Sequence, residues 1–252
     1  MTSTLRILSD QTFFPVLPIW SWLIEHPEGN IIVDTGASRG LTDPDYLRRL
    51  GPFQSRLLGR LSRFTVKPED EITFRLAALG RTVEEIRWVV FTHLHLDHVD
   101  GLGAFGHSEV VIDENEWSHP HFAPKPLFPP WLNPTPARLR SGLIDCFDRA
   151  YPITQDGTVL LVSTPGHTPH HCSVLVHTGS ISYLLAGDAV YDQAQLLADR
   201  DSGVDADFTK AAQTRRAIRT YASRYPTVLL PSHDPESENR LIHGTVLEIK
   251  TP

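Results

Sequence analysis

The sequence is poor in cysteine, in clustered positive charge and in long apolar runs. Its 252 residues include only two cysteines, Cys146 and Cys172, so a disulfide framework is not indicated and two buried free thiols are expected. The formal net charge is −7 and no basic run occurs, which argues against a nucleic-acid partner because phosphate contacts need clustered Lys and Arg. No apolar run approaches the roughly 18 residues of a membrane span, so no membrane partner is expected.

The first residues also lack the charged region followed by an apolar stretch that marks a secretory signal, so a cytoplasmic protein is expected. With 40% apolar and 21% charged residues, the composition is typical of a soluble globular protein. The length is sufficient for one large core, and we expect a single domain over residues 1–252. The oligomeric state stays open, with a homodimer among the candidates.

Apolar runs separated by turn residues predict two similar series of strands and helices. Strands are expected at residues 19–24, 30–33, 158–162, 173–176, 181–185, 228–230 and 246–249, with the first two joined as a hairpin. Helices are expected at residues 68–79 and about 209–224. Residues 119–136 contain seven prolines and several aromatic residues, which predicts a long irregular loop that covers either a pocket or the edge of the core. This pattern favours two packed sheets with helices outside them.

Residues 93–98 place three imidazoles and one carboxylate within six positions. The segment reads His-Leu-His-Leu-Asp-His and follows an apolar run that is typical of a buried strand ending in a polar loop. Because side chains alternate along an extended chain, His93 and His95 are expected to point the same way. Burying these groups without a shared partner would cost several kcal/mol, so metal binding is favoured over a loose cluster of polar loop residues.

Three further polar residues each follow an apolar strand, and they are His167, Asp188 and His233. Each is a weak signal alone, but together with the earlier segment they make seven donors, more than the three or four that one zinc ion takes. Two divalent transition-metal ions that share Asp188 would use all seven. The first ion would be held by His93, His95 and His167, and the second by Asp97, His98 and His233. Imidazole and carboxylate donors suit Zn²⁺, the expected metal, and are also compatible with Fe²⁺, Co²⁺ and Mn²⁺.

The order and spacing of these seven residues resemble those of the metallo-β-lactamase superfamily. Asp34-Thr35-Gly36 matches the early strand-end motif of that superfamily, and His-Thr-Pro at residues 167–169 matches its third motif. The resemblance covers nearly the whole chain. It implies an α+β fold, namely a four-layer αβ/βα sandwich in which two mixed β-sheets have helices outside, with the metal ions at one rim.

Tyr191, three residues after Asp188, looks like the tyrosine that N-acyl-homoserine lactone lactonases, the quorum-quenching lactonases, carry at this offset. Residues 22–29 and 232–235 also resemble that group. The implied reaction is hydrolysis of the lactone ring by a hydroxide that bridges the two metal ions, with Tyr191 as a donor to the developing oxyanion. Asp97 is either the proton donor to the leaving alkoxide or a metal ligand only. An ordinary loop-anchoring role is the alternative for Tyr191.

The resemblance leaves other hydrolases open. An esterase, thioesterase or organophosphate hydrolase of the same fold would use the same metal ligands, although a thioesterase usually carries a helical substrate domain after the last ligand. A β-lactamase is disfavoured because Asp188 stands where many of those enzymes carry Cys. Redox members of the superfamily typically place Glu where this chain has His95, and a non-catalytic binder usually loses ligands.

Residues outside the ligand set allow two interpretations each. Three phenylalanines are candidates to line a groove for a substrate acyl chain, with at least one expected in the core instead: Phe53, Phe64 and Phe74. Asp34 is expected either to hydrogen-bond a metal-binding histidine or to make a plain strand-end turn. His170 and His171 exceed the ligand count and are expected either beside the ligands or exposed to solvent.

Overall fold

The structure is a computed structural model, and it describes residues 16–249. The described chain divides into two compact units. One comprises the residues up to 111 together with 122–135, and the other comprises 112–121 together with the residues from 136 onward. Each unit carries most of one five-stranded β-sheet.

The first sheet has the strand order β1-β2-β3-β4-β5. Its strands are Trp22–Ile24 (β1), Asn30–Val33 (β2), Ile86–Val90 (β3), Glu109–Asp113 (β4) and Thr135–Ala137 (β5). β1 and β2 are antiparallel, whereas β2, β3 and β4 are parallel, so the sheet is mixed. The predicted hairpin is confirmed, with Leu23 opposite Ile32.

The central strands β2 and β3 end in apolar runs, at residues 31–33 and 88–90, and all of these residues are buried. Ile31, Val33 and Val90 are fully buried. Val33 lies opposite Val90, so the two strands end at the same level. The backbone N–H of Asp34, the first residue after β2, donates a hydrogen bond of 3.0 Å to the carbonyl of Val90. The strand ends therefore bring Asp34 next to the loop that follows β3.

The α-helices described in the first unit are short. They are Pro44–Arg48 (α1), Pro52–Leu61 (α2), Ile72–Ala78 (α3) and Leu96–Val99 (α4). The helix predicted at residues 68–79 is wrong over its first turn, because Pro68–Asp70 forms a separate 3₁₀ turn and Glu71 is extended (φ −67°, ψ 143°). The Asp70 carboxylate accepts a hydrogen bond of 3.0 Å from the backbone N–H of Lys67, which closes this turn before α3 begins.

The second sheet has the strand order β10-β9-β8-β7-β6. Its strands are Ala150–Pro152 (β6), Val159–Ser163 (β7), Cys172–His177 (β8), Ser182–Gly187 (β9) and Thr227–Pro231 (β10). Neighbours from β6 to β9 are antiparallel, and β9 and β10 are parallel. The strand predicted at residues 246–249 is wrong. Leu247 is buried in the core and donates one backbone hydrogen bond of 2.7 Å to Thr227, without forming a ladder.

The parallel pair of β9 and β10 brings two loops to the same edge of the second sheet. Leu185 lies opposite Leu230, and Gly187 lies opposite Pro231. Asp188 is the first residue after β9, and His233 is the second residue after β10. Two of the candidate ligands are therefore neighbours because their strands are neighbours.

The helices described in the second unit are Glu114–Ser118 (α5), Gln193–Leu197 (α6), Phe208–Arg224 (α7) and Ser237–His243 (α8). The prediction of a helix at about residues 209–224 is confirmed by α7. This helix begins where the Asp207 side chain accepts a hydrogen bond of 3.0 Å from the backbone N–H of Lys210. Its apolar stripe, which includes Ile218 and Tyr221, packs in one core cluster with Leu229 of β10.

The prediction of an α+β fold with two mixed sheets and helices is confirmed. The segment 119–136 is irregular apart from a 3₁₀ turn at Lys125–Leu127 and the start of β5. Both cysteines are free, and Cys172 is buried as expected, whereas Cys146 is only half-buried. Within residues 16–249, no helix has both the length and the apolar character that crossing a membrane requires.

Candidate functional site

The loop after β3 carries the first candidate metal ligands. His93 and His95 are two positions apart, and their ligand nitrogens lie within 4.8 Å of each other. Their rings meet edge to face, with 4.5 Å between centroids and 77° between planes. Leu94 between them is buried. The two imidazoles thus share one side of the loop, as the alternation of side chains along an extended chain requires.

His98, in α4, is oriented by a buried carboxylate. Its Nδ1 lies 2.8 Å from Oδ2 of Asp34. The same carboxylate accepts hydrogen bonds from the backbone N–H (2.9 Å) and the hydroxyl (2.8 Å) of Thr92. With the proton of His98 on Nδ1, Nε2 becomes the nitrogen that can donate electrons to a metal ion. Of the two roles considered for Asp34, the structure shows the hydrogen bond to a candidate ligand.

Asp97 precedes His98 in α4. Together with His93, His95 and His98 it forms the first group of candidate ligands. One of its carboxylate oxygens lies 3.9 Å from Nε2 of His98. An imidazole nitrogen and a carboxylate oxygen at this separation can both reach one metal ion. The Asp97 side chain is 24% exposed, whereas that of His98 is fully buried. Asp97 is therefore the member of this pair that solvent can reach.

The second group of candidate ligands lies in the second unit, where Asp188 is flanked by the imidazoles of His167 and His233. Its Oδ2 lies 3.3 Å from Nε2 of His167, and its Oδ1 lies 3.2 Å from Nε2 of His233. All three side chains are buried. Each carboxylate oxygen faces a different histidine, which is the arrangement that a ligand shared by two metal ions requires.

The loop that carries His167 is packed directly on α7. The backbone N–H of Asp207 donates to the carbonyl of Gly166 (3.0 Å), and that of Ala206 donates to the carbonyl of His167 (3.2 Å). A Cβ atom on Gly166 would lie 2.5 Å from Cα of Ala211, and the backbone φ of Gly166 is +147°. Glycine is therefore required at this position for the close approach of loop and helix.

Asp234 supports the site but was not predicted as a functional residue, although it directly follows His233 and lies in the segment 232–235 that resembles the lactonases. Its Oδ2 accepts hydrogen bonds from the guanidinium of Arg240 (2.6 Å) and from the backbone N–H of Gln193 (3.1 Å). Arg240 also donates to the carbonyl of Leu229 in β10 (2.9 Å). This buried network ties the His233 loop to α8 and to the start of α6.

Tyr191 lies beside the second group of ligands. Its hydroxyl donates a hydrogen bond of 3.1 Å to Oδ2 of Asp188. Its ring stacks on His233, with 5.2 Å between centroids and 16° between planes, and meets His167 edge-on at 6.0 Å. The backbone N–H of Tyr191 donates to the side-chain carbonyl of Gln195 (2.6 Å). The phenol is therefore held among the candidate ligands.

The remaining residues near the second group differ in their surroundings. His171 is buried and contacts the backbone of Asp188, whereas His170 is half-buried. Burial lowers the pKa of His170, which favours its uncharged form. Burial raises the pKa of the Cys172 thiol well above its ordinary value, so this neighbour stays protonated and is a poor metal ligand.

None of the three candidate phenylalanines is a fully buried core residue. Phe53 is 75% exposed and Phe74 is 53% exposed. Phe64 is half-buried. The expectation that at least one of them belongs to the core is therefore wrong, because all three lie on short surface helices or in the loop between them.

The chemistry of the donors fits divalent transition-metal ions. The two groups offer imidazole nitrogens and carboxylate oxygens and no thiolate, which suits Zn²⁺, Fe²⁺, Co²⁺ and Mn²⁺. The carboxylate of Asp34 behind His98 is the kind of supporting contact that ligating histidines have in metal sites. In the second group the carboxylate of Asp188 is already directed at two imidazoles.

The model of the metallo-beta-lactamase superfamily matches residues 14–233 of the chain. Among curated relatives, the N-acyl homoserine lactonase AttM of Agrobacterium fabrum is 26% identical over 234 residues, covering 88% of this chain and 83% of its own. The N-acyl homoserine lactonase AiiA of Bacillus thuringiensis subsp. kurstaki is 26% identical over 226 residues, with the same coverage.

A solved structure supports the same fold. It is an N-acyl homoserine lactone hydrolase with the product N-hexanoyl-L-homoserine bound at its catalytic metal centre. It superposes on this chain with a TM-score of 0.70 at 26% sequence identity, covering 91% of this chain and 88% of its own. The strands and helices of this chain thus match a known fold over almost its whole length.

Proposed function

Because the chain belongs to the metallo-β-lactamase superfamily, we propose that it is a dinuclear metal-dependent hydrolase that opens the lactone ring of N-acyl-homoserine lactones. That the chain is a metal-dependent hydrolase follows from its family and relatives. The observation that carries the dinuclear part is the carboxylate of Asp188, whose two oxygens face the imidazoles of His167 and His233. The lactone substrate is supported by the lactonase relatives and by the position of Tyr191.

The proposal assigns the seven donors in the order of the sequence motif. His93, His95 and His167 hold one ion, Asp97, His98 and His233 hold the other, and Asp188 holds both. Two divalent ions supply, when bound, activation of water near neutral pH and polarisation of the substrate carbonyl. The expected metal is Zn²⁺. We take residues 1–252 as the single domain that performs this chemistry.

The chain's own residues hold and move protons around this chemistry. Asp34 keeps the proton of His98 on Nδ1, so that Nε2 can act as a ligand. Asp97 is the candidate to protonate the alkoxide that leaves when the ring opens, because its carboxylate is partly exposed whereas His98 is buried. The alternative, in which Asp97 is a ligand only, leaves this proton to water.

Tyr191 is the candidate to stabilise the negative charge that develops on the lactone carbonyl oxygen. In the structure its hydroxyl donates to Asp188. Donation to substrate therefore requires the hydroxyl to exchange this acceptor for the substrate oxygen, a rotation about the ring's C–O bond. Phe64, which is half-buried, is proposed to contact the acyl chain.

The experiment that tests this function is a panel of hydrolysis reactions with the zinc-loaded protein. Lactone opening consumes one water and yields a hydroxyl and a carboxylic acid that ionises, so each turnover releases a proton that a pH indicator detects. We expect kcat/KM to be highest for N-acyl-homoserine lactones, with a thioester, an aryl phosphotriester and a β-lactam hydrolysed less efficiently. The Asp188→Ala variant serves as the background control.

Two outcomes would contradict the proposal. Lactone opening no faster than in the Asp188→Ala control would exclude the lactonase function. A higher kcat/KM for the phosphotriester or the thioester would assign the same ligands to one of the other hydrolases of this fold. Separation of the product by chromatography and its mass, one water heavier than the lactone, identifies the bond that breaks.

A further inference from the structure

His171 lies between the loop that carries His167 and the turn that carries Asp188, and both of its ring nitrogens are engaged. It is fully buried. Its Nε2 lies 3.1 Å from the backbone nitrogen of Asp188, and its Nδ1 lies 2.9 Å from the hydroxyl oxygen of Thr164. The backbone carbonyl of His171 also accepts a hydrogen bond of 2.9 Å from the N–H of Thr164.

The direction of each of these hydrogen bonds follows from the donors available. A backbone N–H only donates, so Nε2 of His171 must be the unprotonated acceptor for Asp188. The neutral imidazole then carries its proton on Nδ1 and donates it to Thr164. Thr164 in turn lies 2.9 Å from the hydroxyl of Ser173, which donates to the carbonyl of Ala186 (3.0 Å).

These bonds form one chain, which we call the imidazole relay: Asp188 N–H, His171, Thr164, Ser173 and the carbonyl of Ala186. It begins and ends on the same turn, at residues 188 and 186. All of its members are buried, where a hydrogen bond left unmade is costly. Reversing any one bond would leave two donors or two acceptors facing each other, so the relay admits a single tautomer of His171.

We infer that His171 is a positioning residue that fixes the backbone of Asp188 and thereby aims its carboxylate at His167 and His233. The role of Asp188 as a shared ligand rests on the proposed function, whereas the relay is a property of the folded chain alone. Imidazole suits the task because its two nitrogens lie on opposite sides of a rigid ring, one accepting and one donating. Because both of its ring nitrogens are hydrogen-bonded, His171 differs from the proposed metal ligands, each of which offers an atom to an ion.

The tautomer can be observed directly in the zinc-loaded protein. Long-range ¹H–¹⁵N spectra of histidine-labelled protein distinguish protonated from unprotonated ring nitrogens. We expect His171, assigned by the signal missing from the His171→Gln variant, to have a protonated Nδ1 and an unprotonated Nε2 at neutral pH. A proton on Nε2 would overturn the inference, and the variant serves only to assign the signal.

Two substitutions separate the two ends of the ring. Gln places its carbonyl oxygen near the position of Nε2 and can still accept from Asp188, whereas Asn places its amide near Nδ1 and cannot reach that far. We expect His171→Asn to weaken zinc binding by about 10- to 100-fold, the usual cost of losing a residue that supports a metal ligand. His171→Gln should restore most of this affinity, and His170→Gln should leave it unchanged.

Zinc affinity is measured by competition with a chromophoric chelator, without substrate. Equal losses in the Asn and Gln variants would mean that His171 merely fills space, and would overturn the inference. A protein with the expected tautomer and zinc affinities that fails to open lactones would refute the proposed function and leave the positioning role intact. The two failures are therefore distinguishable.

Discussion

At the scale of single residues, Asp188 contacts four other residues of its unit. Its backbone N–H is bonded to His171, and its Oδ2 accepts a hydrogen bond from the Tyr191 hydroxyl. Its two oxygens also lie within 3.3 Å of the imidazole nitrogens of His167 and His233. A carboxylate fixed in this way needs little rearrangement to accept metal ions.

We expect Tyr191→Phe to lower kcat for lactone opening by up to roughly 100-fold, which is the loss that removal of one oxyanion donor causes. The metal content should stay unchanged, because the phenol hydroxyl contacts Asp188 without being one of the proposed ligands. Steady-state kinetics combined with elemental analysis of the same sample tests both parts.

Tyr183→Phe, in β9, is the matched control for loss of a phenol hydroxyl and should retain wild-type kinetics. Full activity of Tyr191→Phe would reduce Tyr191 to a residue that anchors its loop. Loss of metal from Tyr191→Phe would instead mean that the hydroxyl holds Asp188 in position.

The sequence singles out residues whose type and whose place after an apolar run both point to metal binding, and their role as ligands stays a prediction. His93, His95 and Asp188 are of this kind. The role of His171 could not be predicted, because it depends on which backbone group lies 3.1 Å from Nε2, and sequence spacing does not contain that distance. The exposure of Phe53 and Phe74 was also not predicted, because the sequence around an aromatic residue carries no signal that separates a core position from a surface one.

At the scale of elements, strand pairing decides which loops are neighbours. The parallel pair β2 and β3 places Asp34 against Thr92 and His98. The parallel pair β9 and β10 places Asp188 near His233. Asp188 and His233 thus lie where adjacent parallel strands end, whereas His167 follows β7, whose neighbours are antiparallel.

The contact between the His167 loop and α7 gives a prediction at this scale. Gly166→Ala should destabilise the protein by about 1–3 kcal/mol, the usual cost of overpacking, because the new Cβ would lie 2.5 Å from the backbone of Ala211. It should also weaken metal binding, since relief of the clash displaces His167. Chemical denaturation and zinc titration measure the two effects.

Gly179→Ala is the matched control for the backbone strain alone. Gly179 also has a positive φ (+87°), but nothing lies within 4 Å of the position that a Cβ would occupy. If the two variants lose the same stability and both bind zinc normally, the packing of loop on helix has no part in holding His167.

Elements with strong end signals were predicted from the sequence, and those without them were not. The helix α7 has an acidic cap at Asp207 and an apolar stripe, and its predicted bounds differ from the observed ones by one residue at the start. The helix predicted at residues 68–79 splits at Glu71 because the side chain of Asp70 closes a turn of its own. An apolar run at residues 246–249 resembles a strand, but Leu247 is used to fill the core.

At the scale of the whole molecule, the candidate ligands are spread from residue 93 to residue 233. On the proposed assignment each metal ion takes donors that are far apart in sequence, and such an ion binds the folded chain in preference to the unfolded one. Metal binding should therefore be coupled to folding stability. The family model, which matches residues 14–233, includes this whole span, although sequence identity to the lactonases AttM and AiiA is only 26%.

The central claim is that Asp188 is shared by two metal ions, and elemental analysis of the purified protein by plasma mass spectrometry tests it most directly. We predict about two transition-metal ions per chain in the wild-type protein and loss of metal together with lactonase activity in Asp188→Ala. Asp145→Ala, which removes a carboxylate that is 71% exposed, should keep both. One ion or none in the wild-type protein, or an Asp188→Ala variant that is active or retains two ions, would contradict the claim.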